Sequence, residues 1–185
     1  MAKRPTIRTS AGTGKSNKPA LKKKSKIPEM LTLAEDDLST YYLKTSLTDW
    51  LAISPAASRS IISEFDLIKL GNSGITKNTI HNLASSIGIS RKDIAEDIFN
   101  ISVKTLERKD LKTKLDKKTS SHAIEIAKVL QHTHEVFRDK EKVKRWLNTE
   151  NKALNNLKPV RLFDTLSGLA MVNDVLGRIE EGVYS

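Results

Sequence analysis

The chain has 185 residues, enough for one or two small domains, and its lack of cysteine excludes a disulfide scaffold and thiolate metal sites. No apolar run approaches the roughly 18 residues that a membrane-spanning helix requires, so we expect a soluble, cytoplasmic protein without a membrane partner. Nine of the 32 basic residues and no acidic residue precede Glu29, which leaves 23 basic against 22 acidic residues in the rest. The net charge of +10 therefore belongs to the N-terminal tail.

The N-terminal tail, residues 1–28, is predicted to be disordered because Lys and Arg are mixed with Gly, Pro, Ser and Thr. A basic arm of this kind can add phosphate contacts that carry no sequence information. A solubilising leader or expression remnant explains the composition equally well, and a mitochondrial targeting peptide is a third alternative. The stretch "TSAGTGKS" (Thr9–Ser16) ends like a phosphate-binding loop, but Thr9 stands where that motif needs glycine, so we exclude it.

From Pro28 onward the sequence predicts an all-α protein, because apolar residues recur at spacings of three and four and strict alternation is absent. Residues 29–59 are predicted to be a partly helical or linking segment. The next helix, in "SRSIISEFDLIKLG", is predicted to stop at Gly71 after a run of apolar positions, which are Ile61, Ile62, Phe65, Leu67, Ile68 and Leu70. A further helix begins on Thr76 as its cap and ends at Gly88.

Two short helices then follow each other closely. "SRKDIAEDI" begins with Ser90 as its cap and directs Ile94, Ala95 and Ile98 inward, and "SVKTLERKD" begins with Ser102 as its cap and directs Val103 and Leu106 inward. Asn100 lies in the connection, and asparagine is one of the few residues that tolerate a left-handed backbone. The pair therefore predicts a helix-turn-helix.

The outer face of the second short helix is rich in basic residues. A recognition helix in the major groove uses its N-terminal residues on bases and its flanks on phosphates. We therefore predict a DNA-binding set consisting of Ser102, Lys104, Thr105, Arg108, Lys109 and Lys112. The alternative is that this face is only the solvated side of an ordinary helix pair.

A longer amphipathic helix is predicted to begin near Thr119 or Ser120, with Ile124, Ala127, Leu130, Val136 and Phe137 directed toward the core. His132 and His134 are two positions apart and point in nearly opposite directions on a helix, so we interpret them as polar surface or edge residues and not as metal ligands. The four histidines are scattered, and no recognisable nucleophile or phosphate loop is present. The sequence therefore predicts no enzyme, no metal and no cofactor.

The last third of the chain predicts three short helical stretches. Asp139 caps the first, which directs Val143, Trp146 and Leu147 inward, and Pro159 begins the second. The third extends from Leu166 to Ile179, and its predicted core residues are Leu169, Met171, Val172, Val175, Leu176 and Ile179.

This last third resembles the C-terminal toxin-binding domain of the Xre/MbcA/ParS family of antitoxins. The resemblance rests on the order and spacing of Trp146, Leu147, Asn151, Ala153, Leu154, Pro159, Thr165, Gly168, Leu176, Arg178, Ile179, Gly182 and Tyr184. Glu150 occupies a position where the family usually has proline, and Asn155 with Asn156 replaces a glycine pair. Because asparagine tolerates positive φ, we expect the turn at this pair to be kept.

The resemblance implies an Xre-like helix-turn-helix domain for DNA binding and dimerisation over residues 60–137, followed by a small helical toxin-binding domain over residues 138–185. It implies the antitoxin of a type II pair, which covers the active site of an NAD-consuming RES-domain toxin and represses its own operon. The implied partners are that toxin, operator DNA, a second copy in a homodimer, and a higher-order hetero-oligomer with the toxin.

The toxin-binding residues that the resemblance implies are Trp146, Arg178, Ile179, Gly182, Val183, Tyr184 and Ser185. Arg178 could pair with a catalytic acid or imitate part of a cationic substrate, and Gly182 could release the helix so that Tyr184 turns into a cleft. The alternative is that Tyr184 packs on its own domain and Arg178 is solvated. A stand-alone helix-turn-helix regulator without a toxin partner is the second functional hypothesis.

Overall fold

The computed structural model describes residues 47–183, which belong to one compact unit. The described residues form helices and two isolated bridges, and the prediction of an all-α fold is confirmed. Residues 47–50 are helical. They are followed by α1 (Pro55–Ser58), α2 (Glu64–Ser73), α3 (Lys77–Ile87), α4 (Arg91–Asp93, widening into a π-helical turn, Ile94–Ile98), α5 (Val103–Glu107), α6 (Lys117–Phe137), α7 (Lys140–Leu147), two 3-10 turns (Lys152–Leu154 and Pro159–Leu162) and α8 (Leu166–Glu180).

Helix α6 is the centre of this fold, and α2 and α8 make the most extensive contacts with it. Its buried residues follow one another so closely that almost the whole middle of the helix is enclosed, as Ala123, Ile124, Ile126, Ala127, Val129 and Leu130 show. A helix that is covered on several sides is the scaffold on which its neighbours are placed.

Helix α6 begins earlier than predicted. Asp116 accepts hydrogen bonds from the amide of Thr119 at 3.0 Å and from its hydroxyl at 2.7 Å, so the helix begins at Lys117. These bonds hold the pKa of the Asp116 carboxyl below its ordinary value, the Thr119 amide contributing most. The prediction of a start near Thr119 or Ser120 was wrong, because both of these side chains are buried in the first turn.

The predicted stop at Gly71 was also wrong, since α2 continues to Ser73 and ends at Gly74, whose φ is 81°. A Cβ on Gly71 would lie 2.9 Å from the Ser121 hydroxyl oxygen and 3.5 Å from a methyl carbon of Ile124. Gly71 therefore allows α2 to approach α6 closely. Its role is packing and not termination of the helix.

Several of the apolar positions identified from the sequence are exposed. Ile62, which precedes α2, and Phe65 and Ile68 on α2 are exposed, with Phe65 at 74 %. On α8, Met171 is 50 % exposed, while Leu169 and Val172 are buried as predicted. Periodicity identified the helices, but the buried face was narrower than the set of apolar residues.

The segment before α1 packs on α3. Leu47, Trp50 and Leu51 are buried, the Thr79 hydroxyl donates to the Leu51 carbonyl at 2.7 Å, and the Asn82 amide donates to the Trp50 carbonyl at 2.8 Å. This part of the region 29–59 thus belongs to the core. The predicted tail, residues 1–28, and residues 29–46 lie outside the described residues, and the boundary placed after Phe137 stays a prediction.

Candidate functional site

The connection between α4 and α5 is a short turn through a left-handed residue. Asn100 has a φ of 54°, and the Ile101 amide donates to the Ala95 carbonyl at 2.8 Å. The Ser102 hydroxyl then accepts from the Thr105 amide at 3.2 Å, which begins α5. The sequence predictions for Asn100 and for the caps at Ser90 and Ser102 are confirmed.

A similar turn occurs between α3 and α4, where the sequence predicts only that a helix ends at Gly88. Gly88 is left-handed, with a φ of 82°, and the Ile89 amide donates to the Ala84 carbonyl at 3.1 Å. Ser90 then begins α4, where its hydroxyl accepts from the Asp93 amide at 3.1 Å. The signal in the sequence is that "GIS" before α4 is repeated as "NIS" before α5. The helices α3, α4 and α5 are therefore joined by two similar connections.

The predicted DNA-binding residues divide between a helix and a loop. The two at the start of α5, Lys104 and Thr105, are exposed, although the Thr105 hydroxyl is 2.8 Å from that of Ser102. Helix α5 ends at Glu107, so Arg108, Lys109 and Lys112 follow it. We call residues 108–114 the basic loop.

The basic loop is hydrogen-bonded to the N-terminus of α3. Thr76 precedes this helix without a side-chain cap, and the amides of Lys77 and Asn78 donate instead to the carbonyls of Thr113 at 3.0 Å and Leu111 at 3.1 Å. The first amides of a helix have no partner within the helix and need one from outside. The basic loop supplies it, which leaves Arg108 and Lys112 exposed and Lys109 half-buried.

The end of α8 is a Schellman turn. The Val183 amide donates to the Arg178 carbonyl at 2.9 Å, the Gly182 amide donates to the Ile179 carbonyl at 3.1 Å, and Gly182 has a φ of 71°. Both hydrogen bonds and the left-handed residue define this helix ending. We call Arg178, Ile179, Gly182 and Val183 the α8 end.

The side chains of the α8 end differ in burial. Arg178 is exposed, Val183 is 51 % exposed, and Ile179 packs partly against the core. The predicted contact residues Tyr184 and Ser185 lie outside the described residues. Trp146 is half-buried and its ring lies 5.5 Å from that of Phe137, so it closes the end of α6 while keeping one side accessible.

The loop before α8 keeps the turn expected from the asparagine pair. Asn155 and Asn156 have φ values of 57° and 60°, so the prediction that they replace a glycine pair without loss of the turn is confirmed. The Asn151 side chain accepts from the Ala153 amide at 2.9 Å and begins the first 3-10 turn. Pro159 begins only a short 3-10 turn, Pro159–Leu162, where a helix was expected.

His132, which the sequence predicts to be a polar surface or edge residue, is partly buried and contacts α8 from α6. One ring nitrogen is 3.0 Å from the Asn173 side-chain oxygen, and the other is 3.1 Å from a Glu180 carboxylate oxygen. Partial burial alone would lower the pKa of His132, but the contacts with Asn173, Glu180 and more distant Glu135 outweigh it and raise the pKa. Nothing in the sequence pattern pairs these residues, which lie more than forty positions apart.

This contact predicts a pH-dependent contribution to stability. The folded protein binds the His132 proton more tightly than the unfolded chain, whose ordinary pKa is 6.5. The stabilisation is therefore fully present below that pKa and is lost as the pH rises through the higher folded value. We expect His132→Gln to lower the free energy of unfolding by roughly 1 kcal/mol in mild acid and by much less in mild alkali, as measured by urea denaturation.

Glu180→Gln serves as the partner control for this prediction, since it removes the carboxylate and keeps the histidine. It should reproduce the loss in acid. An equal loss from His132→Gln at both pH values would contradict the charged contact.

Helices α4 and α6 also contact the segment that precedes α8. The Arg161 guanidinium donates to the Asp97 carboxylate at 2.7 Å, and a ring nitrogen of His122 is 2.7 Å from the Phe163 carbonyl oxygen. The His122 ring also meets Phe99 edge to face at 5.3 Å. Burial lowers the pKa of His122, which favours a neutral ring at this junction.

Within residues 47–183 no group of three or more histidine, aspartate and glutamate side chains is arranged to hold a metal ion. Among the described helices none is long and apolar enough to cross a membrane. The candidate functional sites are therefore two surfaces: α5 with the basic loop, and the α8 end.

Comparison with known proteins identifies relatives of both parts. Residues 132–182 match the family described as "Antitoxin Xre/MbcA/ParS C-terminal toxin-binding domain". The chain is 29% identical over 137 residues to "Antitoxin Xre" of Yersinia enterocolitica serotype O:8 / biotype 1B, an alignment that covers 74% of this chain and 90% of that protein. It is 26% identical over 116 residues to "Antitoxin Xre" of Photorhabdus laumondii subsp. laumondii, with 62% of this chain and 78% of that protein covered. Both alignments are longer than the matched domain, so the similarity extends into the upstream helices.

Proposed function

From the match of residues 132–182 to the Xre/MbcA/ParS antitoxin family, we propose that the chain is the antitoxin of a type II pair whose toxin is a RES-domain, NAD-consuming enzyme. In this proposal the protein is not itself an enzyme. It acts in the cytoplasm as a homodimer, covers the active site of the toxin in a hetero-oligomer, and represses its own operon through α4 and α5.

The observation that supports the toxin-binding half is that the matched residues extend to Gly182, and so include most of the α8 end. There Arg178 and Val183 are exposed on a backbone fixed by the Schellman turn. Arginine is among the residue types enriched at binding hot spots, and its planar guanidinium suits a carboxylate in a cleft. A preordered end loses less entropy on binding than a frayed one.

The DNA-binding half is supported by the left-handed corner at Asn100, by the exposed start of α5 and by the exposed cations of the basic loop. The same features would serve a stand-alone regulator. The two functions therefore differ in whether a toxin binds the α8 end.

The proposed partner can be identified by a pull-down from the native cell, followed by mass spectrometry. The full chain should recover a RES-domain protein, and co-expression of that protein with the chain should restore growth that the protein alone arrests. Recovery of DNA without any RES-domain protein by the folded chain would favour the stand-alone regulator.

A single substitution tests the DNA-binding half. We expect Arg108→Ala to weaken binding to a mixed-sequence DNA duplex of about two helical turns by roughly tenfold and to reduce the salt slope by about 0.9, because one phosphate contact is lost. Fluorescence anisotropy at several salt concentrations measures both quantities.

Lys152→Ala is the matched control, because Lys152 is also exposed and its loss changes the net charge equally. It should leave the affinity and slope unchanged. If Arg108→Ala abolishes toxin neutralisation as well as DNA binding, the substitution disturbs folding, and the assignment of α5 as the DNA-binding helix is wrong.

A further inference from the structure

Lys77 is the most deeply buried charged residue among those described. Only 5 % of its surface is exposed, and its ammonium donates to the carbonyls of Glu107 at 3.1 Å and Lys109 at 2.7 Å. Both acceptors are main-chain groups, and no described carboxylate forms an ion pair with it. Burying a charge is costly unless hydrogen bonds replace its water, so two fixed carbonyls indicate a specific position for this cation.

The two acceptors lie where α5 ends and the basic loop begins. The last carbonyls of a helix have no partner within it and carry partial negative charge, which a cation offsets. Lys77 satisfies one carbonyl on the last residue of α5 and one inside the basic loop. A neutral side chain without donors would leave both of these partly buried carbonyls without this partner.

The rest of residues 107–115 is also hydrogen-bonded to residues at the start of α3. Every second residue from 107 to 115 is bound to the start of α3, through the Lys77 ammonium, the amides of Lys77 and Asn78, and the Ile75 carbonyl, which accepts from the Leu115 amide at 2.8 Å. The four residues between them, Arg108, Asp110, Lys112 and Lys114, are exposed, and the Lys114 ammonium donates to the Ser73 carbonyl at 3.0 Å. The main chain is thus held against α3, while the side chains of Arg108 and Lys112 are exposed to solvent.

We propose that Lys77 is a positioning residue for DNA binding: its buried ammonium holds the carbonyls of Glu107 and Lys109 at the junction of α5 and the basic loop, so that Arg108 between them is held ready for a DNA phosphate. This inference rests on the proposed DNA-binding function. Without the ammonium the loop would retain its contacts to the α3 amides, but its first part would be free to move. Each phosphate contact would then have to order the loop as it forms.

Lys77→Met tests the inference, since methionine fills the buried path and has no donor. In the free protein we expect main-chain amide hydrogen exchange to become about tenfold faster within residues 107–110 and to stay unchanged in α6. Lys69→Met is the matched control, because that lysine is 76% exposed in its side chain, and it should change neither region. Unchanged exchange in Lys77→Met would overturn the proposal without any reference to DNA.

The second measurement is binding to the same mixed-sequence duplex. We expect Lys77→Met to weaken the affinity about tenfold and to lower the salt slope by about 1, since fewer phosphates are engaged. In a chain that already carries Arg108→Ala and Lys112→Ala, Lys77→Met should cost little further affinity. An equal cost in both backgrounds would overturn the positioning role and leave Lys77 as a general stabiliser.

The outcomes separate the inference from the function on which it rests. If the wild-type chain does not bind DNA, the proposed DNA-binding function fails, while hydrogen exchange still decides whether Lys77 fixes the loop. Faster exchange with unchanged affinity and salt slope would overturn the role in DNA binding. If Lys77→Met does not fold, Lys77→Gln, which keeps one donor without the charge, takes its place with the same expectations at smaller size.

Discussion

Gly168→Ala is expected to lower the free energy of unfolding by about 3 kcal/mol, although alanine normally stabilises a helix relative to glycine. Gly168 lies in the first turn of α8, directly against the 3-10 turn Pro159–Leu162. A Cβ at this position would overlap the Leu162 carbonyl oxygen and lie 2.9 Å from its carbonyl carbon.

The size of this effect follows from what the methyl group would meet. Leu162 presents main chain, which cannot rotate away as a flexible side chain could. Relief would require α8 to shift from the 3-10 turn, and the Thr165 hydroxyl would then lose its bond with the Gly168 amide, now 3.1 Å long. Overpacking and loss of a cap both destabilise a helix.

Gly177→Ala is the matched control on the same helix. No atom lies within 4 Å of a Cβ built at Gly177, so this substitution should raise the free energy of unfolding by about 0.5–1 kcal/mol. Chemical denaturation of the two variants gives both values. A stabilised Gly168→Ala variant would show that α8 and the 3-10 turn are not in close contact.

Removal of the residues after Glu181 is the second change with a large expected effect. Under the proposed function we expect affinity for the RES-domain partner to fall by about 30-fold or more, because the α8 end would lose its turn and its terminal side chains. Titration of the toxin activity with each chain measures this loss.

The position of the cut matters for folding. A cut after Gly177 would also remove Ile179, which packs on the core, and Glu180, which contacts His132. A cut after Glu181 leaves both in place, and Val183 is exposed. We therefore expect the thermal unfolding of the shortened chain to resemble that of the full chain.

A pair of arginine substitutions refines this experiment. Arg178→Ala should weaken toxin binding, whereas Arg91→Ala, at an equally exposed arginine on α4 outside the matched domain, should not. Full neutralisation by the shortened chain would contradict the role given to the α8 end and leave the toxin partner to be bound elsewhere on the domain.

The sequence could predict those parts of the fold that depend on neighbours in the chain. Ser90 and Ser102 accept from amides three residues later, and Asn100 and Asn155 adopt positive φ. The interactions that decide these conformations are contained within a few residues, so residue type at a given spacing is sufficient evidence. The turn at Asn100 and the start of α7 after Asp139 were predictable for that reason.

The candidate sites were predictable only in part. The resemblance named Arg178 and Gly182, and the charge pattern named Arg108 and Lys112. Neither could indicate that α5 ends at Glu107. The same sequence pattern fits either a longer helix or a five-residue helix that is followed by a basic loop. The position of the loop depends on α3, whose first amides it satisfies.

The sequence by itself determined the all-α class, the order of the helices and most of their caps, because backbone preferences and apolar spacing act over one or two turns. Only the tertiary structure decided which face each helix buries. It placed Gly71 and Gly168 at close approaches, exposed Phe65 and Met171, and enclosed Lys77 against carbonyls thirty residues away. These outcomes depend on how helices pack across long separations in the chain, and hydrophobic periodicity is the same whichever neighbour covers a face.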